Sequence, residues 1–141
     1  KILKIAPQLN GIIMILRGRP GKQDIFKSSI NCTIVNHLTT SEFQQVFSSS
    51  EFIIGRSGYT TVMEILSLQK RSMLIPTPGQ TEQEYLGRHL MQQQWCYSCE
   101  QDADLLSHIK KAKEFQFIFP SLNESSLPAV IEDFVNVFWH C

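Results

Sequence analysis

Phe52-Ile53-Ile54-Gly55-Arg56-Ser57-Gly58-Tyr59-Thr60-Thr61-Val62-Met63-Glu64-Ile65 is the stretch from which the rest of the chain can be read. A strand-length apolar run, Phe52 to Ile54, stops at two closely spaced glycines, and a helix-length segment, Tyr59 to Gln69, follows at once. That segment places Val62, Ile65, Leu66 and Gln69 on one face at helical spacing. A strand that runs through a glycine turn straight into a helix is the repeating unit of an open parallel sheet. In such sheets ligands bind beyond the carboxyl ends of the strands, where helix N-termini present amides that lack partners within the helix.

Working outward, the same alternation recurs. Ile12 to Arg17, Cys32 to Val35, Met73 to Ile75 and Trp95 to Ser98 are further short apolar runs with poor alternation, as strands covered on both faces should be. Helical patterns lie between most of them. Ser41 to Ser49 has Ser41 and Gln44 at capping-box spacing, with Phe43, Val46 and Phe47 inward. Glu82 to Gln93 offers Tyr85, Leu86, His89 and Leu90, and Asp102 is placed to cap a helix reaching Lys113, with Leu105, Leu106 and Ile109 inward. The order predicts an α/β domain, a parallel sheet with helices on both faces joined by right-handed crossovers. Lys1 to Leu9 reads as a helix, Arg19 to Ser29 as a loop around Pro20-Gly21, and Ala129 to Trp139 as a final helix with Val130, Ile131, Phe134, Val135 and Phe138 on one face.

The 141 residues, 43% of them hydrophobic, suit one domain with a real core. Thirteen basic and thirteen acidic residues cancel, so no overall field draws in nucleic acid or an anionic membrane. The longest apolar run, Ile12 to Leu16, is far short of a membrane span. No export signal is evident, and four cysteines are few for a disulfide scaffold, so a reducing cytoplasm is expected.

Two segments have the composition of a ligand site. In the first, Gly55 and Gly58 let the backbone approach a ligand closely, and Ser57, Thr60 and Thr61 add hydroxyls around a helix start. Arg56 adds charge-assisted bonds for a diphosphate, and Glu64, one to two turns along, can accept from the two hydroxyls of a ribose. Taken alone, Ser57 also reads as an N-cap and Glu64 as a solvated carboxylate. The second segment, Pro76-Thr77-Pro78-Gly79-Gln80-Thr81-Glu82-Gln83-Glu84, is again a strand end, a turn and a helix start.

Arg56 to Ile65, followed by a strand and Pro76, resembles the donor-site signature of family-28 glycosyltransferases. The pattern is similar to that of the peptidoglycan N-acetylglucosaminyltransferase type, and plant-type UDP-glycosyltransferases share a related one. The resemblance runs from about Thr33 to Leu90. It implies a Rossmann-like domain forming one half of a GT-B fold, with Arg56, Ser57, Gly58, Thr60 and Thr61 on the donor diphosphate and Glu64 on the ribose. It also implies that Gly79, Gln80, Thr81, Gln83 and Glu84 meet the donor sugar. Arg56 stands where plant-type members have histidine, and Glu84 replaces the second of two adjacent glutamines. The implied reaction is metal-independent transfer of a hexosyl group, with inversion, from a UDP-sugar or similar nucleotide-sugar to an acceptor hydroxyl. The first strand, a glycine-rich loop and the acceptor domain are expected upstream. No residue here reads as a catalytic base, so the chain alone is expected to bind UDP weakly and turn nothing over. No cofactor or metal is implied. A nucleotide-sugar epimerase or hydrolase of the same fold, or a binding subunit without catalysis of its own, are the alternatives.

Other features point elsewhere. Trp95-Cys96-Tyr97-Ser98-Cys99 has the spacing of a thioredoxin-like redox motif, but inside a strand its cysteines would face opposite ways. Scattered His37, His89, His108 and His140 do not complete a zinc site. His89 reads as a core or pocket-edge histidine, and Lys110, Lys111 and Lys113 as a solvated helix end that complements the dipole.

Overall fold

The computed structural model describes residues 2–19, 25–29 and 31–120. The expected helix Ala129 to Trp139 and the Pro20-Gly21 turn lie outside the described residues. In chain order the elements are α1 (Ile2–Ile5), a 3-10 turn (Ala6–Gln8), β1 (Ile13–Leu16), β2 (Ile25–Ser29), β3 (Cys32–Val35) and α2 (Thr40–Ser49). There follow β4 (Ile53–Gly55), α3 (Tyr59–Ser67), β5 (Ser72–Leu74), α4 (Thr81–Gln92), β6 (Tyr97–Ser98) and α5 (Leu105–Glu114). The fold is mixed α/β and Rossmann-like, with parallel strands alternating with helices. Among the described residues no helix is long and apolar enough to cross a membrane.

Strand alternation builds two cores on opposite faces of the sheet β4-β5-β6, which is parallel throughout. Ile53, Leu74 and Cys96 turn to one side and meet Phe47 of α2, Val62, Ile65 and Leu66 of α3 and Leu90 of α4. Ile54, Met73 and Tyr97 turn to the other and meet Leu105, Ile109 and Ala112 of α5, with Ile2, Ile5 and Leu9 from the N-terminal segment. Period-two alternation thus explains why these strands read as continuously apolar: each face is covered by helices.

The remaining strands form a second sheet, ordered β1-β3-β2, in which β1 and β3 are parallel. Two expectations change here. The strands form two three-stranded sheets rather than one, and the segment read as a loop contains β2, antiparallel to β3 with a register shift between Lys27 and Ser29. β1 is an edge strand and leaves Met14 and Leu16 partly exposed.

Helix ends also depart from the sequence reading. The capping box of α2 is Thr39 with Glu42, not Ser41 with Gln44: Thr39 Oγ1 accepts from the Glu42 amide at 3.3 Å, and the Glu42 carboxylate accepts from the Thr39 amide at 2.8 Å. Glutamate is the stronger acceptor, and these bonds hold its carboxyl below the usual range. α5 begins after Asp104 rather than Asp102. α1 stops at Ile5 because Pro7 cannot continue the α-helical ladder, and a 3-10 turn takes over. Gln69, expected on the inner face of α3, lies beyond its end with φ +48°. There its amide donates to Leu66 and that of Lys70 to Ile65, a Schellman ending.

Candidate functional site

The turn after β4 and the turn after β5 converge. Ser57 is fully buried and its hydroxyl donates to the backbone oxygen of Gln83, 2.8 Å away, which ties the start of α3 to the first turn of α4. Arg56 makes a second tie. Its Nη1 donates to the carbonyls of Ile75 and Pro76, both at 3.1 Å, and its Nη2 to Gln101 Oε1 at 2.8 Å. Between the two helix starts lies an open depression of about 590 Å³, lined by Gly58, Tyr59, Gly79, Gln80, Thr81, Glu82 and Gln83.

The second loop is closed by its own hydrogen bonds. Gln80 N donates to Thr77 O at 3.1 Å across Pro78 and Gly79, and Gly79 has φ +80°, the geometry of a type II turn that favours glycine at that position. The Thr77 amide donates to Gln83 Oε1 at 3.0 Å and the Gly79 amide to Glu84 Oε1 at 2.9 Å, while Gln83 Nε2 donates to Gln80 Oε1. Behind the loop, a Cβ on Gly87 would stand 2.8 Å from Pro76 Cγ and 2.7 Å from Ser98 Oγ. Only glycine lets α4 approach the start of this loop so closely.

The two helix starts differ electrically. α3 is capped by Gly58 with no side-chain bond and has no acid in its first turn, so its first amides and positive dipole end remain available to an anion. α4 carries Glu82 and Glu84 in its first turn. Coulomb repulsion between a phosphate oxygen and a carboxylate 4 Å apart is about 1–4 kcal/mol over effective dielectric constants from water to a protein surface, which exceeds the 0.3–1 kcal/mol usual for a helix dipole. The start of α3 therefore suits an anion, and the start of α4 suits neutral hydroxyls.

Of the residues singled out in the sequence, Gly58, Gly79, Gln80, Thr81 and Gln83 line the depression together. Thr60 and Thr61 occupy the first turn of α3, and Glu64 its second turn, about 7.5 Å along the axis from Tyr59. Arg56, Ser57 and Glu84 are not among the lining residues: Ser57 is buried, and Arg56 is exposed beside the end of β5. Ser57 is not the N-cap of α3, and its hydroxyl proton, expected to face a ligand, is committed to Gln83. The sequence reading passed over Tyr59, 42% exposed on the lip of the depression, and Glu82 on its far side. An aromatic at the first position of a helix that follows a ligand turn was the available signal for Tyr59.

The competing cysteine motif is packed away. Cys96 belongs to one core and Cys99 to the other, both as buried free thiols. Burial pushes the Cys96 thiol up to about 11 and raises Cys99 as well, the opposite of what a reactive thiolate requires. His89 is half-buried against Tyr85, with ring centroids 5.7 Å apart and nearly parallel. No group of three or more metal-ligating side chains is placed to hold an ion among the described residues.

Comparison with curated proteins and with solved structures gives no match. Comparison with family models matches residues 12–115 to the glycosyltransferase family 28 C-terminal domain, a span that includes both turns, the depression and all three strands of the parallel sheet. By that match, the chain belongs to the glycosyltransferase family 28 C-terminal domain family.

Proposed function

We propose that this domain is the donor half of a hexosyltransferase and holds a UDP-sugar across the depression between α3 and α4. The observation that carries the reading is the Ser57–Gln83 hydrogen bond, with two helix starts of unlike charge character on either side of one cleft. The diphosphate lies at Gly58, Thr60 and Thr61, where amides and the helix dipole offset charge as the leaving diphosphate departs. The ribose reaches Glu64, and the hexose hydroxyls face Gly79, Gln80, Thr81 and Gln83. An N-acetylhexosamine is one donor of this kind, the one that the sequence resemblance to the peptidoglycan enzymes implies.

The acceptor and the base that deprotonates it belong to a partner domain upstream in the same chain, together with a further strand. The edge strand β1, with Met14 and Leu16 partly exposed, supports the further strand. The buried free thiols fit a cytoplasmic setting. Calorimetric titration with UDP, UDP-glucose and UDP-N-acetylglucosamine tests the reading. The expected result is weak binding of UDP, tighter binding of at least one UDP-hexose, and no transfer to a hydroxyl acceptor by this chain alone. Equal affinity for UDP and every UDP-hexose would remove the sugar site, and transfer by the chain alone would overturn the division between halves.

A further inference from the structure

We infer that Arg56 is a positioning residue for the donor sugar and not a ligand of the diphosphate. This rests on the donor-site reading above and adds a division of labour within it. The guanidinium spends three of its five N–H donors on protein acceptors, namely the carbonyls of Ile75 and Pro76 and the side chain of Gln101. Those acceptors lie at the end of β5 and in the segment after β6, so one planar group on the β4 turn braces the two neighbouring strand ends. Turning toward a phosphate would strip the Ile75 and Pro76 carbonyls of a charge-assisted partner.

Pro76 opens the loop whose later residues, Gly79 to Gln83, form the far wall of the depression. The loop also closes on itself through Thr77, Gly79, Gln83 and Glu84, and these bonds open more readily once Arg56 and Ser57 no longer hold the loop against the start of α3. Losing Arg56 therefore displaces the sugar wall and leaves the α3 amides in place. A lysine does not replace it, because a single ammonium lacks the fork that reaches two carbonyls and Gln101 together.

The test is titration of the full chain and its Arg56→Gln, Arg56→Lys and Gln101→Ala variants with UDP and with the UDP-hexose that binds the wild type best. In both Arg56 variants UDP affinity should change less than about twofold, while UDP-hexose affinity falls about tenfold, 1.4 kcal/mol. Gln101→Ala, which keeps the guanidinium and cuts one tie, should show the same selective loss to a smaller degree. A ligand-free measurement separates this inference from the donor-site reading: hydrogen exchange at the Thr77 and Gly79 amides should quicken in Arg56→Gln and in Gln101→Ala. A tenfold loss for UDP itself, recovery of UDP-hexose affinity by Arg56→Lys, or unchanged exchange at Thr77 and Gly79 would each overturn the assignment. Should Arg56→Gln fail to fold, Gln101→Ala carries the same two outcomes. Failure of the wild type to prefer any UDP-hexose over UDP would instead count against the donor site, with the exchange result still deciding whether Arg56 braces the loop.

Discussion

The hydroxyl of Ser57 donates across 2.8 Å to the main-chain oxygen of Gln83, a bond between residues 26 positions apart that joins the start of one helix to the first turn of the next. Both helices begin at the carboxyl ends of adjacent parallel strands, so this bond fixes the width of the cleft between them.

Replacing Ser57 with alanine removes that link without filling or emptying much space. The expected loss is about 1 kcal/mol of stability, the net worth of one buried hydrogen bond, seen as a fall of a few degrees in the melting temperature. Binding of UDP-hexose should weaken more than binding of UDP, because the sugar spans both sides of the cleft. Equal weakening for the two ligands would place the effect on the α3 side alone.

Tyr59 lies on the lip of the depression with 42% of its surface exposed, outside both hydrophobic cores of the described residues. If its ring packs on the bound donor, Tyr59→Ala should cost about 0.5–1.5 kcal/mol of binding, a two- to twelvefold rise in Kd, with the melting temperature of the free protein unmoved. A change in melting temperature with unaltered Kd would make Tyr59 a structural residue.

Among the described glycines, Gly87 leaves the least room for a methyl group. In an exposed helix, glycine to alanine gains about 1 kcal/mol, but here the new Cβ would lie 2.8 Å from the Pro76 ring and 2.7 Å from Ser98 Oγ. Overpacking costs about 1–3 kcal/mol, so Gly87→Ala should come out destabilising, and thermal unfolding gives the sign directly. A raised melting temperature would mean that α4 can move away from the strand end freely.

Cys96 provides the pH-dependent test. Burial raises its thiol from the ordinary 9.0 to about 11, so the folded state favours the neutral form. Its contribution to stability is complete below pH 9 and is lost as pH rises from 9 toward 11, where only the unfolded chain ionises readily. Denaturant midpoints should fall over that interval in the wild type and less so in Cys96→Ala, measured relative to each protein's own midpoint at pH 8. At pH 8 iodoacetamide should label Cys96 only after unfolding.

Much of the fold is legible in the sequence because local pattern and burial agree. Ile53 and Ile54, Met73 and Leu74, and Cys96 and Tyr97 each send one neighbour to either core, which is why their runs read as strands buried on both faces. β2 escaped notice because Pro20 and Gly21 dominate its neighbourhood and its backbone pairing with β3 is set by the partner strand rather than by its own composition. The Thr39–Glu42 box was hidden by a serine two residues later with its own glutamine at the same spacing. The site residues were legible as a set, since glycine turns at strand ends announce themselves. Their roles were less so: nothing local says that the Ser57 hydroxyl bonds to Gln83 and the Arg56 guanidinium to Ile75 and Pro76, because those partners are 19 to 26 residues away.

The most direct test of the whole account is a residue-resolved NMR titration of the full chain, first with UDP and then with a UDP-hexose. UDP should shift the amides of Gly58, Tyr59, Thr60 and Thr61 and leave Gly79 to Gln83 nearly still, and the hexose should add shifts at Gly79, Gln80, Thr81 and Gln83. Shifts from UDP centred on the start of α4, or from the hexose on a surface away from the depression, would contradict it.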